Sequence, residues 1–67
     1  MKVTVNGDET ELPQGATVAA LIERLDLPGG RGVAVAVDAE VVPRGEWERH
    51  ALDDGDRVEV LRAIQGG

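Results

Sequence analysis

The residues of this chain best placed to do chemistry are its last two, Gly66 and Gly67. With average glycine usage near 7 %, a random sequence closes on such a pair only roughly 0.5 % of the time. The pair is therefore read as chemistry and not as filler. Glycine has no Cβ and visits both signs of φ, so a Gly-Gly end threads a narrow channel where any side chain would clash. A terminal carboxylate is ionised at neutral pH. It can attack a phosphate of ATP and leave as an acyl adenylate, with no side-chain bulk shielding its carbonyl from the next nucleophile.

Other residue types that commonly carry chemistry are scarce or wrongly spaced. The chain has neither cysteine nor serine to pair with its one histidine, His50. A nucleophile–base dyad is therefore excluded, and one histidine alone makes no metal site. Asp53-Asp54-Gly55-Asp56 lacks the remaining ligands and the closing glutamate of a calcium loop, and reads as a turn. Gly29-Gly30-Arg31-Gly32 has neither the Lys-Ser/Thr nor the glycine spacing of a phosphate-binding loop, and reads as a linker. An internal Gly-Gly also has no free carboxylate to activate.

Sixty-seven residues make one small domain with a thin core. The absence of cysteine excludes disulfides and thiolate metal sites, and predicts a reducing, cytoplasmic compartment. The sequence opens on Met1 with one lysine and no long apolar run, so neither a secretion signal nor a membrane span is expected. Thirteen acidic residues against seven basic ones give a net charge of −6. That balance repels nucleic acid and anionic membranes, and favours a partner with a basic docking surface.

The elements that must carry the end follow from periodicity. Met1, Val3 and Val5 alternate with Lys2 and Thr4, as a half-buried strand requires. Asn6-Gly7 is the strongest short hairpin signal, because a type I′ turn needs φ > 0 at both central residues. A two-residue loop sets Val5 opposite Asp8, Val3 opposite Thr10 and Met1 opposite Leu12. Thr10 and Leu12 then face the core, and Pro13-Gln14-Gly15 ends the second strand. Thr17 is placed to cap a helix. Val18, Leu21, Ile22 and Leu25 form its apolar stripe, and Pro28 stops it at Asp26-Leu27. Val33-Ala34-Val35-Ala36-Val37 is a strand with its valines under the helix. Asp38-Ala39 turns the chain into a short strand, Glu40 to Val42. Arg44 to Leu52 reads as one or two helical turns anchored by Trp47 and Leu52. The last strand, Arg57 to Arg62, points Val58 and Val60 inward, with Glu59 and Leu61 outward. A single amphipathic helix crossing a mixed sheet is an α+β arrangement. Ala34, Ala36 and Leu61, with Glu59 beside them, then form a small apolar patch on the face away from the helix. Such patches mark docking sites, although scattered exposed alanines need no explanation.

Together these residues resemble the β-grasp, or ubiquitin-like, superfold, and more narrowly the ThiS family of sulfur carriers in thiamin biosynthesis. The resemblance spans the chain. Asn6-Gly7, Gly15-Ala16-Thr17-Val18, the Val/Ala strand, Val42-Pro43-Arg44 followed by Trp47, Gly55-Asp56 and the closing Gly66-Gly67 carry it. The Val-Pro-Arg…Trp segment and the Gly-Gly end are its most specific parts. Gln65 stands where several relatives have a third glycine or another small residue. The resemblance implies a four- to five-stranded mixed sheet, with the last strand parallel to the first.

The resemblance further implies a carrier and not an enzyme. A ubiquitin-activating-type adenylating enzyme, using ATP and magnesium, would adenylate Gly67. A sulfur donor such as a cysteine desulfurase would turn the adenylate into a thiocarboxylate, and thiazole synthase would accept the sulfur. The carrier itself would bind no cofactor. Ile64, Gln65 and Gly66 would thread the partner's channel. The expected organisation is a domain over residues 1–63 and a flexible tail over 64–67. Two alternatives share the end-group chemistry: a ubiquitin-like modifier conjugated through Gly67, and a sulfur carrier for molybdopterin or cysteine formation. A third, a plain β-grasp binding module, gives no reason for a Gly-Gly end.

Overall fold

The computed structural model describes residues 1–26 and 32–62. Most of the Gly29–Gly32 linker and all of Ile64, Gln65, Gly66 and Gly67 lie outside the described residues. Five strands form one sheet: β1 (Lys2–Val5), β2 (Asp8–Glu11), β3 (Val33–Val37), β4 (Glu40–Val42) and β5 (Arg57–Arg62). Their spatial order is β2-β1-β5-β3-β4. β5 runs parallel to β1 and antiparallel to β3, while β2 and β4 pair antiparallel at the two edges. A helix, α1 (Val18–Arg24), joins β2 to β3.

The hairpin register is the expected one: Val5 opposes Asp8 and Val3 opposes Thr10. Asn6 (φ 51°) and Gly7 (φ 87°) occupy the left-handed region that a type I′ turn demands. Pairing continues past β2, where the Leu12 N–H donates to the Met1 carbonyl at 2.9 Å. Alternation does the rest. Val3, Val5, Val35, Val37, Val58 and Val60 are buried in the same cluster as Val18, Leu21 and Ile22 of α1. Each such aliphatic side chain, fully buried, contributes about 1.5–3 kcal/mol relative to exposure.

α1 has only seven residues, too short to persist alone in water. Its first N–H groups, which have no partner within the helix, are met from outside. Val18 N–H donates to the His50 carbonyl at 2.9 Å and Ala19 N–H to the Trp47 carbonyl at 3.0 Å. Ala20 N–H donates to the Thr17 hydroxyl at 3.2 Å, the expected cap. The segment after β4 is thus the helix's seat. It begins as a 3-10 turn, Arg44–Glu46, and returns through Leu52, whose N–H donates to the Ala16 carbonyl at 2.8 Å. Trp47 and Leu52 anchor it in the core. The Trp47 indole N–H donates to the Val42 carbonyl at 2.9 Å, and the Arg44 guanidinium lies 6.0 Å from the indole centroid.

The far end of α1 departs from expectation. The helix stops at Arg24, with Leu25 as its C-cap, because Asp26 turns left-handed (φ 60°), the conformation that commonly closes a helix. Leu25, expected in the core, is 36 % exposed. It borders an open groove of about 320 Å³ with Val5, Val60 and Arg62.

Candidate functional site

Any chemistry at Gly67 must be presented by β5, the central strand, which ends five residues before it. β5 is held on both flanks. Along β3 the register runs from Val37↔Val58 to Val33↔Arg62. Along β1 the main-chain ladder is shorter. Gly55 N–H donates to the Lys2 carbonyl at 2.7 Å, Thr4 N–H to the Asp56 carbonyl at 3.0 Å and Asn6 N–H to the Val58 carbonyl at 2.9 Å. There the first strand turns away into β2.

Two side chains complete the strand's grip, one at each end. At its start, Arg57 N–H donates to the Asp38 carboxylate at 3.0 Å, while Asp38 N–H donates to the Arg57 carbonyl at 2.7 Å. At its far end, Val60 N–H donates to the Asn6 amide oxygen at 2.9 Å, and the Asn6 amide nitrogen donates to the Val60 carbonyl at 3.0 Å. Asn6 and Asp38 are both the first residue of a tight turn, with φ near +50°. Neither clamp was visible as such in the sequence, where both residues are fully accounted for by turn formation.

The face of the sheet away from α1 divides in two. Over β1 and β2 it is charged: Lys2 and Glu9 approach at 3.9 Å, and Glu11 lies opposite Lys2. Over the far end of β5 and over β3 and β4 it is apolar apart from Glu59. Ala34 lies opposite Leu61, Ala36 opposite Glu59 on one side and Val41 on the other. Leu61 is 69 % and Val41 71 % exposed. The structure therefore brings Ala34, Ala36, Glu59 and Leu61 together, as the alternation required. Val41 was missed, although Val42 pointing inward before Pro43 leaves it no other face.

The remaining candidates have structural roles. Asp54 accepts from Lys2 N–H at 2.7 Å and Asp56 from Asp53 N–H at 2.8 Å, so two carboxylates of the acidic turn are engaged by main chain. Among the described residues no group of three or more His, Cys, Asp or Glu is arranged to hold a metal ion. Among them, too, no helix is long and apolar enough to cross a membrane.

Known proteins place this geometry. The ThiS family model matches residues 2–67. The chain belongs to the ThiS family. Its fold is the β-grasp: the crystal structure of the thiamine biosynthesis protein ThiS from Geobacter metallireducens superposes with a TM-score of 0.84 at 30 % identity, over the whole of both chains. The solution structure of a thiamine biosynthesis protein from the same organism gives 0.82 at 30 % identity, covering this chain fully and 88 % of the other. The sulfur carrier protein ThiS of Escherichia coli (strain K12) is 34 % identical over the full length of both. A protein named thiazole synthase in Paramagnetospirillum magneticum (strain ATCC 700264 / AMB-1) is 37 % identical over all 67 residues, which span 20 % of its length. Membership in this family makes the chain a sulfur carrier of thiamin biosynthesis, not a catalyst.

Proposed function

We propose that this chain carries sulfur as a thiocarboxylate on Gly67. The carboxylate of Gly67 attacks the α-phosphate of ATP on a ubiquitin-activating-type enzyme with magnesium, and pyrophosphate leaves. A persulfide, supplied by a cysteine desulfurase or a similar donor, then displaces AMP from the acyl adenylate, and a thiol cleaves the resulting acyl disulfide to the thiocarboxylate, leaving as a disulfide. Thiazole synthase takes up the sulfur. Gly66, Gln65 and Ile64 thread the partner's channel, and Gly67 lies at most about 17 Å beyond Arg62 along an extended chain. The observation that carries this reading is the full-length match to a sulfur carrier, in a chain whose central strand is the last element before Gly66-Gly67 in sequence. A region similar to the whole chain inside a thiazole synthase supports that enzyme as the acceptor.

The body of the carrier docks through Ala34, Ala36 and Leu61, with Val41 extending the patch and Glu59 at its border. Small alanines between two exposed aliphatic side chains leave a shallow seat for a partner's apolar group, and the overall acidity favours a basic rim around it.

Intact-mass measurement tests the end group. Incubation with the activating enzyme, ATP and a sulfur donor should add about 16 Da, oxygen replaced by sulfur on the acyl carbon. A truncation lacking Gly66 and Gly67 should fold and fail to exchange pyrophosphate with ATP. Pyrophosphate exchange by the truncated chain would refute the proposal. So would isopeptide adducts to lysines in place of the mass gain, since those belong to a protein modifier.

A further inference from the structure

We propose that Asn6 is a positioning residue for the delivering end. Its side-chain amide holds both main-chain polar groups of Val60, and so fixes the end of β5 that precedes the delivering residues in sequence. The inference rests on the reading of Gly67 as the activated group.

The reasoning starts from a mismatch in length. β5 runs to Arg62, but its neighbour β1 leaves the sheet at Val5, so the last main-chain bond on that side is from Asn6 N–H to the Val58 carbonyl. Without the Asn6 amide, the N–H and C=O of Val60 would face the space vacated by β1. A primary amide is the one neutral side chain with a donor and an acceptor spaced like those of a peptide group. Asn6 uses both, at 3.0 and 2.9 Å, across 54 residues of sequence. The side chain thereby lengthens the first strand by one ladder position without adding a residue to it. An end that must enter a narrow channel benefits from a fixed root, because orientation lost there must be recovered on binding. Asparagine suits this place for a second reason: it tolerates φ near +51°, which most residues resist.

The turn and the clamp are separable. Asn6→Gly keeps the left-handed turn and removes the amide. Thr17→Ala, which removes the helix cap on a different element, supplies a control destabilised by a comparable amount. Both are compared with wild type where circular dichroism shows all three fully folded. The readouts are pyrophosphate exchange with the activating enzyme and hydrogen exchange at the Val60 amide. Asn6→Gly should raise KM for the carrier by about tenfold with kcat little changed, while Thr17→Ala stays within about twofold of wild type. Val60 should lose protection in Asn6→Gly only. Asn6→Asp, which keeps an acceptor for Val60 N–H but sets a carboxylate oxygen against the Val60 carbonyl in place of the donor, should raise KM at least as much as Asn6→Gly. Equal KM values for Asn6→Gly and Thr17→Ala would overturn the proposal, as would undiminished protection of Val60. A wild-type chain inert towards ATP would instead refute the Gly67 reading, and the positioning role with it.

Discussion

Replacing Trp47 by phenylalanine isolates how the helix seat is held. The indole is 6 % exposed, and its N–H satisfies the Val42 carbonyl at 2.9 Å. Phenylalanine removes one of two donors from that carbonyl, which also pairs with Val35 in the β3–β4 ladder, and the lost bond costs about 0.5–1.5 kcal/mol. It also leaves a gap larger than a methyl group, worth roughly another 1 kcal/mol. The sum, about 1.5–2.5 kcal/mol, is large for a domain of this length, whose whole stability is on the order of 3–10 kcal/mol. In melting temperature it corresponds to a fall of about 6–20 °C. Urea unfolding followed by circular dichroism should show a lower midpoint with an unchanged slope. A finer probe separates the two causes. Benzothienylalanine at position 47, installed by chemical synthesis, keeps the bicyclic shape and replaces the N–H by sulfur. It should lose about 0.5–1.5 kcal/mol through the hydrogen bond alone. A loss below about 0.5 kcal/mol would show that packing, and not the bond to Val42, is what Trp47 supplies. Because the Trp47 carbonyl also accepts from Ala19 N–H, the phenylalanine variant should speed amide exchange at Val18 and Ala19 more than in the β1–β2 hairpin.

Three further outcomes follow from single residues. Thr17→Ala removes the hydroxyl that accepts from Ala20 N–H and should lower stability in urea by about 1 kcal/mol. Ala39 sits at φ 70° in the β3–β4 turn, a conformation costing an alanine about 1–2 kcal/mol. Ala39→Gly should therefore raise stability by about 0.5–1 kcal/mol in the same assay, after the extra chain entropy of glycine is subtracted. Leu61→Asp should leave stability within about 0.5 kcal/mol, because the side chain is 69 % exposed. Calorimetric titration should show it weakening the activating enzyme's grip by about tenfold or more, or about 1.4 kcal/mol.

Where side chains alternate or a turn has strict conformational demands, the fold was open to reading in advance. Asn6-Gly7 set the first hairpin's register, and the Val/Ala alternation of β3 placed both the core and the opposite apolar patch. Main-chain partners were harder to foresee. The carbonyls of Trp47 and His50 satisfy the start of α1, and a carbonyl has no residue type to betray it. Asn6 and Asp38 each do two jobs, and the turn is the one that composition reveals. Leu25 fits the apolar stripe by spacing alone, yet Asp26 adopts a left-handed conformation and the helix ends beneath it. The exposed apolar face was legible apart from Val41, which occupies a strand too short for its period to stand out.

The central position of β5 has a consequence for how the molecule is made. Two hairpins, β1–β2 and β3–β4, flank a strand that leaves the ribosome after both of them. A lone two-stranded hairpin is at best marginal in water, so neither can settle until the final strand slides between them. Assembly of the sheet is therefore a single late event that joins distant parts of the chain, and sequences of this kind fold more slowly than those built from local contacts. A nascent chain that stalls before Arg57 has two hairpins and a helix but no strand to join them into one sheet, which makes it an easy mark for proteases.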